Sequence, residues 1–428
     1  MKVKHGMSYK EVLEKEPKNS RRPAKPSFLL QTLIRAVSAS DLKATNFKYE
    51  SIGMEKLSKK EPCLILMNHS SIIDLKIVNK IFYPRKYNIV CTSDGFIGRN
   101  WLMRNIGCIP TKKFVTEIEL LKDMLYAVKR YNSSILMFPE ASYSFDGTAT
   151  PLPQSLGRCV KMLNLPVIVI MTQGAFARDP LYNNLQLRQV DVSATVEYLL
   201  SPEDIQAKTS REINELLKEK FSFDNFRWQK ENGVEIDEDF RADHLNRVLY
   251  KCPHCLAEGR TLGKGTRLVC KNCGKVYELL TDGSMMAKDG ETEYSHIPDW
   301  YKWERECVKQ EILDGTYKLD VDVDIHVMID TECIYSVGEG RLIHDKDGFR
   351  LTGYDGELEY TQKPLSSYSL YSDYYWYKMG DMICIGDKDV LYYCFPKNCG
   401  DVVAKTRLAT EELYKIVRAE KRTVKTEE

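Results

Sequence analysis

The sequence lacks the features of several common protein classes. It has no apolar run approaching the roughly 18 residues of a transmembrane helix, and its N-terminus has no signal-peptide apolar core. The net charge is only +1, from 62 basic and 61 acidic side chains, which argues against a basic nucleic-acid binder. No G-x-S-x-G motif is present, which argues against an α/β-hydrolase esterase. We therefore expect a cytoplasmic protein without a membrane span and without a nucleic-acid partner.

The basic residues are concentrated near the start of the chain. Residues 1–60 hold 14 Lys/Arg against 6 Asp/Glu, which suits an anionic membrane surface but also a solvated tail. The segment FLLQTLIRAV (28–37) has an apolar stripe at helical spacing, formed by Leu29, Leu30, Leu33, Ile34 and Val37. Such a stripe is typical of an ordinary docking helix, which we favour, and also of a helix lying in a lipid interface. We expect peripheral contact with the inner face of the membrane.

The cysteines form one cluster and a scattered remainder. The chain has 13 in total and no secretion signal, so we expect reduced thiols. Two CxxC pairs separated by 14 residues are a strong zinc signature, with four thiolates predicted to bind the ion: Cys252, Cys255, Cys270 and Cys273. Because all four ligands are protein atoms, the predicted zinc is structural. His254, inside the first pair, is not expected to be a ligand.

Short apolar runs alternate with helical patterns through the first half of the chain. Strands are predicted at 63–67, 87–91, 134–138, 166–171 and 190–200. Helical spacing predicts a helix over 117–131 and another over about 202–220. This alternation is typical of an α/β domain with a largely parallel sheet.

The last third of the chain has a different pattern of apolar and polar residues. The segment 319–330 alternates strictly between apolar and polar residues, and short strands are separated by Gly/Asp turns. The spacing of its aspartates matches the first ligand positions of an EF-hand calcium-binding loop. However, Ile325 and Thr331 occupy the positions at which that loop needs glycine and an acidic residue. We expect a β-rich domain, a small barrel or sandwich, with a closing helix at about 409–422.

The stretch NHSSIID (68–74) directly follows the first buried strand. In open α/β sheets, sites form beyond the carboxyl ends of the strands, where His69 would lie. Two residues five apart in one helix point about 140° apart. His69 must therefore stand on the turn before the helix to meet Asp74, with Asn68 or Ser70 as a candidate helix cap. Alone, the spacing favours a capping histidine and a surface aspartate over a catalytic pair.

Further strand-end motifs strengthen the functional interpretation. They are the Gly107-x-x-Pro110 turn before Lys112 and Lys113, the stretch FPEASYS (138–144), and Pro166 before an apolar strand. With NHSSIID, these four motifs in this order resemble the PlsC-like glycerolipid acyltransferase family, whose best-known members are lysophosphatidic acid acyltransferases. The resemblance covers about residues 40–220.

The resemblance implies an O-acyltransferase in which Asp74 orients His69 as general base, and the acceptor is a lysophospholipid-like hydroxyl. Acyl-CoA or acyl-carrier protein is implied as the thioester donor. Substrate contacts are expected from Asn68, Lys112, Lys113, Glu140, Ala141 and Ser142. The third family motif is usually FPEGTRS, so Ala141, Ser142 and Tyr143 depart from it. Losing Arg there, and having Lys in the second motif, weakens the case for a glycerol-3-phosphate headgroup, although Lys112 and Lys113 could still hold one phosphate.

The expected fold is thus a PlsC-like α/β acyltransferase domain with a zinc ribbon and a β-rich C-terminal domain. The predicted segments are 1–40 (basic, with an amphipathic helix), 41–220 (acyltransferase), 221–250 (connector), 251–284 (zinc ribbon) and 285–428 (β-rich). A protein partner could bind through the ribbon or the C-terminal domain. The alternative function is a catalytically altered acyltransferase fold that acts as a lipid- or protein-binding adaptor.

Overall fold

The structure is a computed structural model that describes residues 1–15, 22–113 and 118–427. The elements of the first half are β1 (Val3–Lys4), α1 (Tyr9–Leu13), α2 (Phe28–Ala44), β2 (Lys48–Ile52), β3 (Leu64–Met67), α3 (Asp74–Phe82), β4 (Tyr87–Thr92), α4 (Asn100–Ile106), β5 (Cys108–Thr111), α5 (Ile118–Tyr131), β6 (Ser134–Met137), α6 (Leu156–Leu163), β7 (Val167–Gln173), α7 (Ala175–Arg178), β8 (Ser193–Leu200), α8 (Pro202–Ala207), α9 (Ser210–Lys220) and α10 (Asn225–Glu231).

The elements of the second half are β9 (Thr261–Lys264), β10 (Arg267–Cys270), β11 (Val276–Leu279), β12 (Met285–Ala287), α11 (Ile297–Leu313), β13 (Leu319–Met328), β14 (Ile334–Asp345), β15 (Gly348–Gly353), β16 (Leu358–Gln362), β17 (Tyr371–Trp376), β18 (Gly380–Gly386), β19 (Leu391–Pro396) and α12 (Val403–Glu427).

A seven-stranded sheet forms the centre of the first half, in the order β2-β8-β7-β3-β6-β4-β5. Strand β3 lies in the middle and pairs in parallel with β6 and β7. Strand β8 is antiparallel to β7, so the sheet is mixed but largely parallel, as predicted. Every residue of β3 is buried, because helices cover both faces of the sheet. The carboxyl ends of β3, β4, β5 and β6 meet at one edge.

The single helix predicted over 202–220 is wrong, because two helices occupy this segment. Lys208 has an extended backbone and ends α8, and Thr209 then caps α9. The Thr209 hydroxyl accepts from the Glu212 amide while the Glu212 carboxylate accepts from the Thr209 amide. This reciprocal capping box starts a new helix where the apolar spacing alone suggested continuity.

The cysteine segment forms a four-stranded antiparallel sheet in the order β12-β11-β10-β9. The Tyr277 ring of β11 contacts the Trp300 ring of α11 (4.9 Å between centroids). At Lys251, before the first strand, the Trp300 indole donates to the carbonyl (3.0 Å) and the Glu304 carboxylate accepts from the amide (2.8 Å). This small sheet therefore packs firmly onto the helix that leads into the C-terminal region.

The C-terminal region contains one antiparallel sheet in the order β16-β15-β14-β13-β19-β18-β17, so the expectation of a barrel or a two-sheet sandwich is wrong. Helix α12 packs against α11 and strands β17 and β18, and it starts at Val403, earlier than the predicted 409. The N-terminal strand β1 adds to this sheet in parallel with β14. Strand β1 has only two residues, which are too few for a sequence pattern to reveal its pairing with β14.

A single hydrophobic core cluster joins all three regions. It includes Phe145 and Phe176 from the first half, Tyr277 from the cysteine segment, and Trp300 and Tyr374 from the C-terminal region. The domain boundaries given above stay a prediction, but these regions share buried surface. None of the helices within the described ranges combines the length and apolar character needed to cross a bilayer.

Candidate active site

His69 and Asp74 meet at the carboxyl end of the central strand. The distance from His69 Nδ1 to Asp74 Oδ2 is 3.0 Å. Residues 68–71 lie outside the helix, and Asp74 is the first residue of α3. The imidazole therefore folds back from the turn, which is the geometry that the five-residue spacing requires.

Asp74 also holds the turn itself. The same Oδ2 atom accepts hydrogen bonds from the amides of Ser70 (2.9 Å) and Ser71 (3.1 Å). The aspartate is buried, while the His69 side chain keeps 21% of its surface exposed. A carboxylate bonded to Nδ1–H leaves the Nε2 lone pair as the proton acceptor of the ring. The arrangement can therefore take a proton from a hydroxyl that approaches the exposed side.

The expectation that Asn68 or Ser70 caps α3 is wrong. The N-cap position is Ile73, which offers no side-chain hydrogen bond. Asn68 instead ties the turn to β7: its Oδ1 accepts from the amide (2.9 Å) and hydroxyl (3.1 Å) of Thr172. Its Nδ2 donates to the Ser70 hydroxyl (3.1 Å). Asn68 is thus enclosed and holds the loop in place.

Glu140 joins the first and third motifs. One carboxylate oxygen accepts from the His69 amide (2.8 Å), and the other accepts from the Thr150 amide (2.8 Å). Burial raises the pKa of Glu140 to about 7, although these two backbone N–H groups act in the opposite direction. Glu140 therefore fixes the His69 backbone from the neighbouring strand end, a connection that the sequence did not indicate.

Two aromatic rings contact the His69 imidazole. The Phe138 ring lies 4.3 Å away between centroids, and the Tyr143 ring lies 4.1 Å away and is stacked. Both residues belong to the third motif, which is the sequence signal that could have found them. Burial, and after it the carboxylates of Asp74, Asp373 and Asp179, raises the pKa of Tyr143 well above its usual range. The phenol is therefore neutral.

A second carboxylate supports the turn from the end of α7, which follows β7. Asp179 accepts a hydrogen bond from the Ser71 hydroxyl and pairs with Arg178 at 3.1 Å. Burial raises the pKa of Asp179 to about 7. The sequence analysis missed this residue, because it lies on a loop more than 100 positions from the turn.

Both lysines of the second motif contact the C-terminal region. Lys113 Nζ lies 4.1 Å from the centroid of the Tyr371 ring, and the nearby carboxylates of Asp373 and Asp94 favour its charge against the burial that lowers its pKa. Lys112 Nζ donates to the Lys388 carbonyl. The structure therefore does not present the two lysines together as one phosphate clamp.

The third motif has an unusual backbone and a distant partner. Ala141 has a φ of 58°, a left-handed conformation in which glycine is favoured. Arg407 of α12 donates from Nη2 to the Ser142 hydroxyl (2.9 Å). The Arg407 guanidinium also lies 4.4 Å from the centroid of the Phe145 ring. A C-terminal helix thus contacts the loop that carries Glu140 and Tyr143.

The backbone amides of Gly107 in the second motif and Ala141 in the third both donate to backbone carbonyls. The Gly107 amide donates to the Arg104 carbonyl at the end of α4 (3.0 Å). The Ala141 amide donates to the Phe138 carbonyl (3.0 Å). Neither amide is directed at His69.

The four cysteines expected to bind metal lie together. Their sulfur atoms are all within 4.8 Å of one another. The Cys252–Cys273 and Cys255–Cys270 sulfur distances are 3.8 and 3.7 Å, and a tetrahedron with Zn–S bonds of about 2.3 Å has edges of about 3.8 Å. His254 Nδ1 faces Glu293 (3.2 Å). The group can hold a metal ion, and its geometry fits zinc.

Comparisons with known proteins agree with the motif analysis in part. Residues 48–173 match the family model described as Acyltransferase. No curated protein matches the chain. Among solved structures, the chain is similar to the crystal structure of the 1-acyl-sn-glycerophosphate (LPA) acyltransferase PlsC from Thermotoga maritima. That match has 14% identity and a TM-score of 0.37, and it covers 45% of this chain and 77% of the other. Residues 48–173, the part of the chain that matches the Acyltransferase model, carry His69, Asp74 and Glu140.

Proposed function

We propose that the protein is an O-acyltransferase that moves a fatty acyl group from a thioester to a hydroxyl of a lysophospholipid-like acceptor, meaning a single-chain lipid with a free hydroxyl. The observation that carries the proposal is the 3.0 Å contact between His69 Nδ1 and Asp74 Oδ2 at the end of the central strand. The pair lies inside the segment that matches the Acyltransferase model. The donor is acyl-CoA or acyl-carrier protein.

In this mechanism, the enzyme supplies a base and the substrate supplies the nucleophile. His69 Nε2 removes the proton of the acceptor hydroxyl, whose oxygen attacks the thioester carbonyl carbon. The C–O bond forms, the C–S bond breaks, and the proton passes from His69 to the leaving thiolate. Asp74 keeps Nδ1 protonated and stabilises the imidazolium. General-base assistance of this kind is worth roughly 10²–10⁴-fold.

The remaining site residues act as positioning groups in this proposal. Glu140 and Asn68 hold the turn that carries His69, and Ser142 and Ala141 belong to the loop that places Tyr143 against the imidazole. Lys112 and Lys113 border the acceptor site. The four cysteines bind one structural zinc ion, which fixes the small sheet against α11.

We also propose peripheral membrane contact through α2. Leu29, Leu33 and Val37 form a stripe along the helix and are 79%, 58% and 66% exposed, while the opposite face buries Leu42. Trp101 on the adjoining α4 is 70% exposed. Leu30 and Ile34 of the predicted stripe are half-buried and α2 packs on α3, so the helix docks on the domain and still leaves Leu29, Leu33 and Val37 open to lipid. Basic residues near these three suit anionic lipid.

The enzymatic proposal is tested by acyl transfer from labelled acyl-CoA or acyl-carrier protein to a panel of single-chain lipids. We expect transfer by the wild type and a loss of at least about 10²-fold in kcat with His69→Ala. His254→Ala is the matched control, because that histidine is exposed and distant in the chain from the motifs. No transfer by the wild type, or equal transfer by His69→Ala, would refute the proposal.

The adaptor alternative has one observation in its favour. Tyr143 stands where the family motif has Arg and covers one face of His69. An adaptor would bind the lipid or thioester with similar affinity in the wild type and His69→Ala, and it would transfer no acyl group. The same experiment with a binding measurement therefore separates the two functions.

A further inference from the structure

The loop that follows β6 encloses the His69 side chain. The Ala141 amide donates to the Phe138 carbonyl (3.0 Å), and the left-handed backbone of Ala141 (φ 58°) reverses the chain there. Glu140, within this turn, accepts from the His69 amide. The turn thereby brings Phe138 and Tyr143, which lie before and after it, back to the same imidazole.

Both aromatic rings lie against the faces of the imidazole. The ring centroids of Phe138 and Tyr143 lie 4.3 and 4.1 Å from that of His69, with angles of 31° and 29° between the ring planes. Rings that met edge to edge in one plane could not come this close, because their carbon atoms would approach below about 3.5 Å. The same limit leaves no room for two rings side by side on one face, so Phe138 and Tyr143 cover one face each.

The edge of the imidazole is its open side. Nδ1 lies 3.0 Å from Asp74 Oδ2, and the His69 side chain keeps 21% of its surface exposed. With both faces covered, this exposed surface lies along the edge of the ring, where Nε2 is. A hydroxyl therefore reaches Nε2 in the plane of the ring, which is also the direction that a hydrogen bond to its lone pair prefers.

Buried hydrogen bonds on both sides of Tyr143 hold it in this place. The preceding hydroxyl, of Ser142, accepts from Arg407 Nη2 of α12 (2.9 Å). The following hydroxyl, of Ser144, donates to the Thr148 carbonyl (2.6 Å). Both serines are buried. The backbone that carries the Tyr143 ring is thus fixed from two directions.

We propose, as a refinement that rests on the acyltransferase function above, that Tyr143 is a positioning residue for the proton transfer: it holds the His69 ring so that Nε2 meets the acceptor hydroxyl, and its ring face stabilises the imidazolium. A cation over the face of an aromatic ring is attracted by the quadrupole of that ring. The imidazolium forms only as the hydroxyl proton moves to Nε2, so Tyr143 stabilises the transition state more than the bound substrate. Such stabilisation raises kcat and leaves KM nearly unchanged.

The kinetic test removes the ring and keeps an apolar side chain. We expect Tyr143→Leu to lower kcat for acyl transfer by about tenfold, with less than about a twofold change in KM for donor and acceptor. Tyr143→Phe keeps the ring face and should stay within about twofold of the wild type in both constants. Tyr126→Leu is the matched control for loss of an aromatic ring. Tyr126 lies on α5 and contacts Tyr131, so this variant should transfer like the wild type.

A spectroscopic test examines the stacking without depending on turnover. Protons that lie over the face of an aromatic ring resonate upfield, and the His69 Hε1 signal is assigned by its loss in His69→Ala. In the wild type, we expect this signal upfield of that of free histidine. It should move downfield in Tyr143→Leu and stay in place in Tyr143→Phe and Tyr126→Leu.

The outcomes distinguish the role of Tyr143 from the function on which it rests. Wild-type kcat in Tyr143→Leu, a loss that falls on KM, or an equal loss in Tyr143→Phe overturns the positioning role and leaves the acyltransferase function intact. A wild-type His69 signal at the position of free histidine overturns the role as well, even if Tyr143→Leu does not fold. A shifted His69 signal without acyl transfer by the wild type overturns the acyltransferase function, and the role with it.

Discussion

Arg407 donates a 2.9 Å hydrogen bond to the Ser142 hydroxyl, although 265 positions separate the two residues along the chain. The contact joins helix α12 to the loop that carries Glu140 and Tyr143. Because both residues are buried, the bond is shielded from water and has a substantial effect on stability. The C-terminal region therefore supports the geometry around His69.

Replacing Arg407 should destabilise the protein through this contact. We expect Arg407→Met to lower the free energy of unfolding by about 2–4 kcal/mol, since it removes a charged hydrogen bond and one of the cations around Glu411. Lys415→Met is the control on the same helix, because the Lys415 side chain is exposed and its partner Glu412 keeps a second ion pair with Arg305, so the loss should stay below about 1 kcal/mol. Urea unfolding measures both, and equal effects would contradict a special role for Arg407.

The left-handed backbone at Ala141 predicts that glycine at this position stabilises the protein. Its left-handed backbone costs an alanine about 1–2 kcal/mol, while glycine loses about 0.5–1 kcal/mol more backbone entropy on folding than alanine. We expect Ala141→Gly to stabilise the protein by up to about 1 kcal/mol, measured by urea unfolding. Ala36→Gly, inside α2, should destabilise it by a similar amount. Destabilisation by both variants would show that the Ala141 backbone is not left-handed in solution.

Glu140 predicts a dependence of stability on pH. Its folded pKa of about 7 lies above the ordinary value of 4.5, so its contribution is fully present below about pH 4.5 and is lost as the pH rises through about 7. Asp179 and Asp373 act in the same direction over a similar range. Glu140→Gln should reduce the fall in unfolding free energy between pH 5 and pH 8 by up to about 3 kcal/mol.

The matched control for this pH effect is Glu215→Gln, at an exposed position of α9. It should retain the fall in stability seen in the wild type. Glu140→Gln is expected to be less stable at pH 5, because its amide cannot accept from both the His69 and Thr150 N–H groups. The diagnostic quantity is therefore the difference between the two pH values, and an unchanged difference would contradict the raised pKa of Glu140.

The parts of the site that the sequence predicted are those built by local chain geometry. The end of β3, the turn that follows it and the start of α3 lie within a few residues of one another. His69 on the turn and Asp74 at the helix start can therefore form a pair through local backbone geometry alone. The cysteine cluster is similar, because each CxxC pair lies on its own turn. In both cases, backbone geometry within a short segment determines the contact.

The parts that escaped prediction depend on packing between distant segments. Arg407 reaches Ser142 only because α12 packs beside the first domain, and no pattern near either residue encodes that approach. The alternation of apolar and polar residues predicted a β-rich C-terminal region, but its single antiparallel sheet and its strand order depend on long-range pairing. The left-handed backbone at Ala141 did leave a signal, since the family motif has glycine at that position.

The four-cysteine cluster predicts a metal-dependent stability. We expect one zinc ion per chain by elemental analysis, and a lower thermal unfolding midpoint after chelation or with Cys255→Ser. The physical reason is that the small sheet packs onto α11 through Trp300 and Glu304, and zinc binding to such a site contributes directly to folding. Cys399→Ser, at an exposed cysteine outside the cluster, should keep both the metal and the midpoint. Zinc-free protein with an unchanged midpoint would rule out a structural metal.

The apolar stripe of α2 predicts binding to lipid vesicles. Burying one leucine side chain contributes about 1.5–3 kcal/mol, so losing two should weaken vesicle binding by at least about tenfold. The variant Leu29→Glu/Leu33→Glu changes two residues that are already exposed, which leaves the folded core unaltered. Co-sedimentation with vesicles containing anionic phospholipid measures the bound fraction.

Leu313→Glu provides the control for this experiment, because Leu313 is 58% exposed at the end of α11, on a different helix. It adds one negative charge, against two in the paired substitution, without touching the stripe, and it should bind vesicles like the wild type. If the paired substitution and the control reduce binding in proportion to the charge that they add, the effect is one of net charge. If neither reduces it, α2 does not contact the lipid, and the basic side chains near the N-terminus become the surface to test, since their attraction to anionic lipid weakens with added salt.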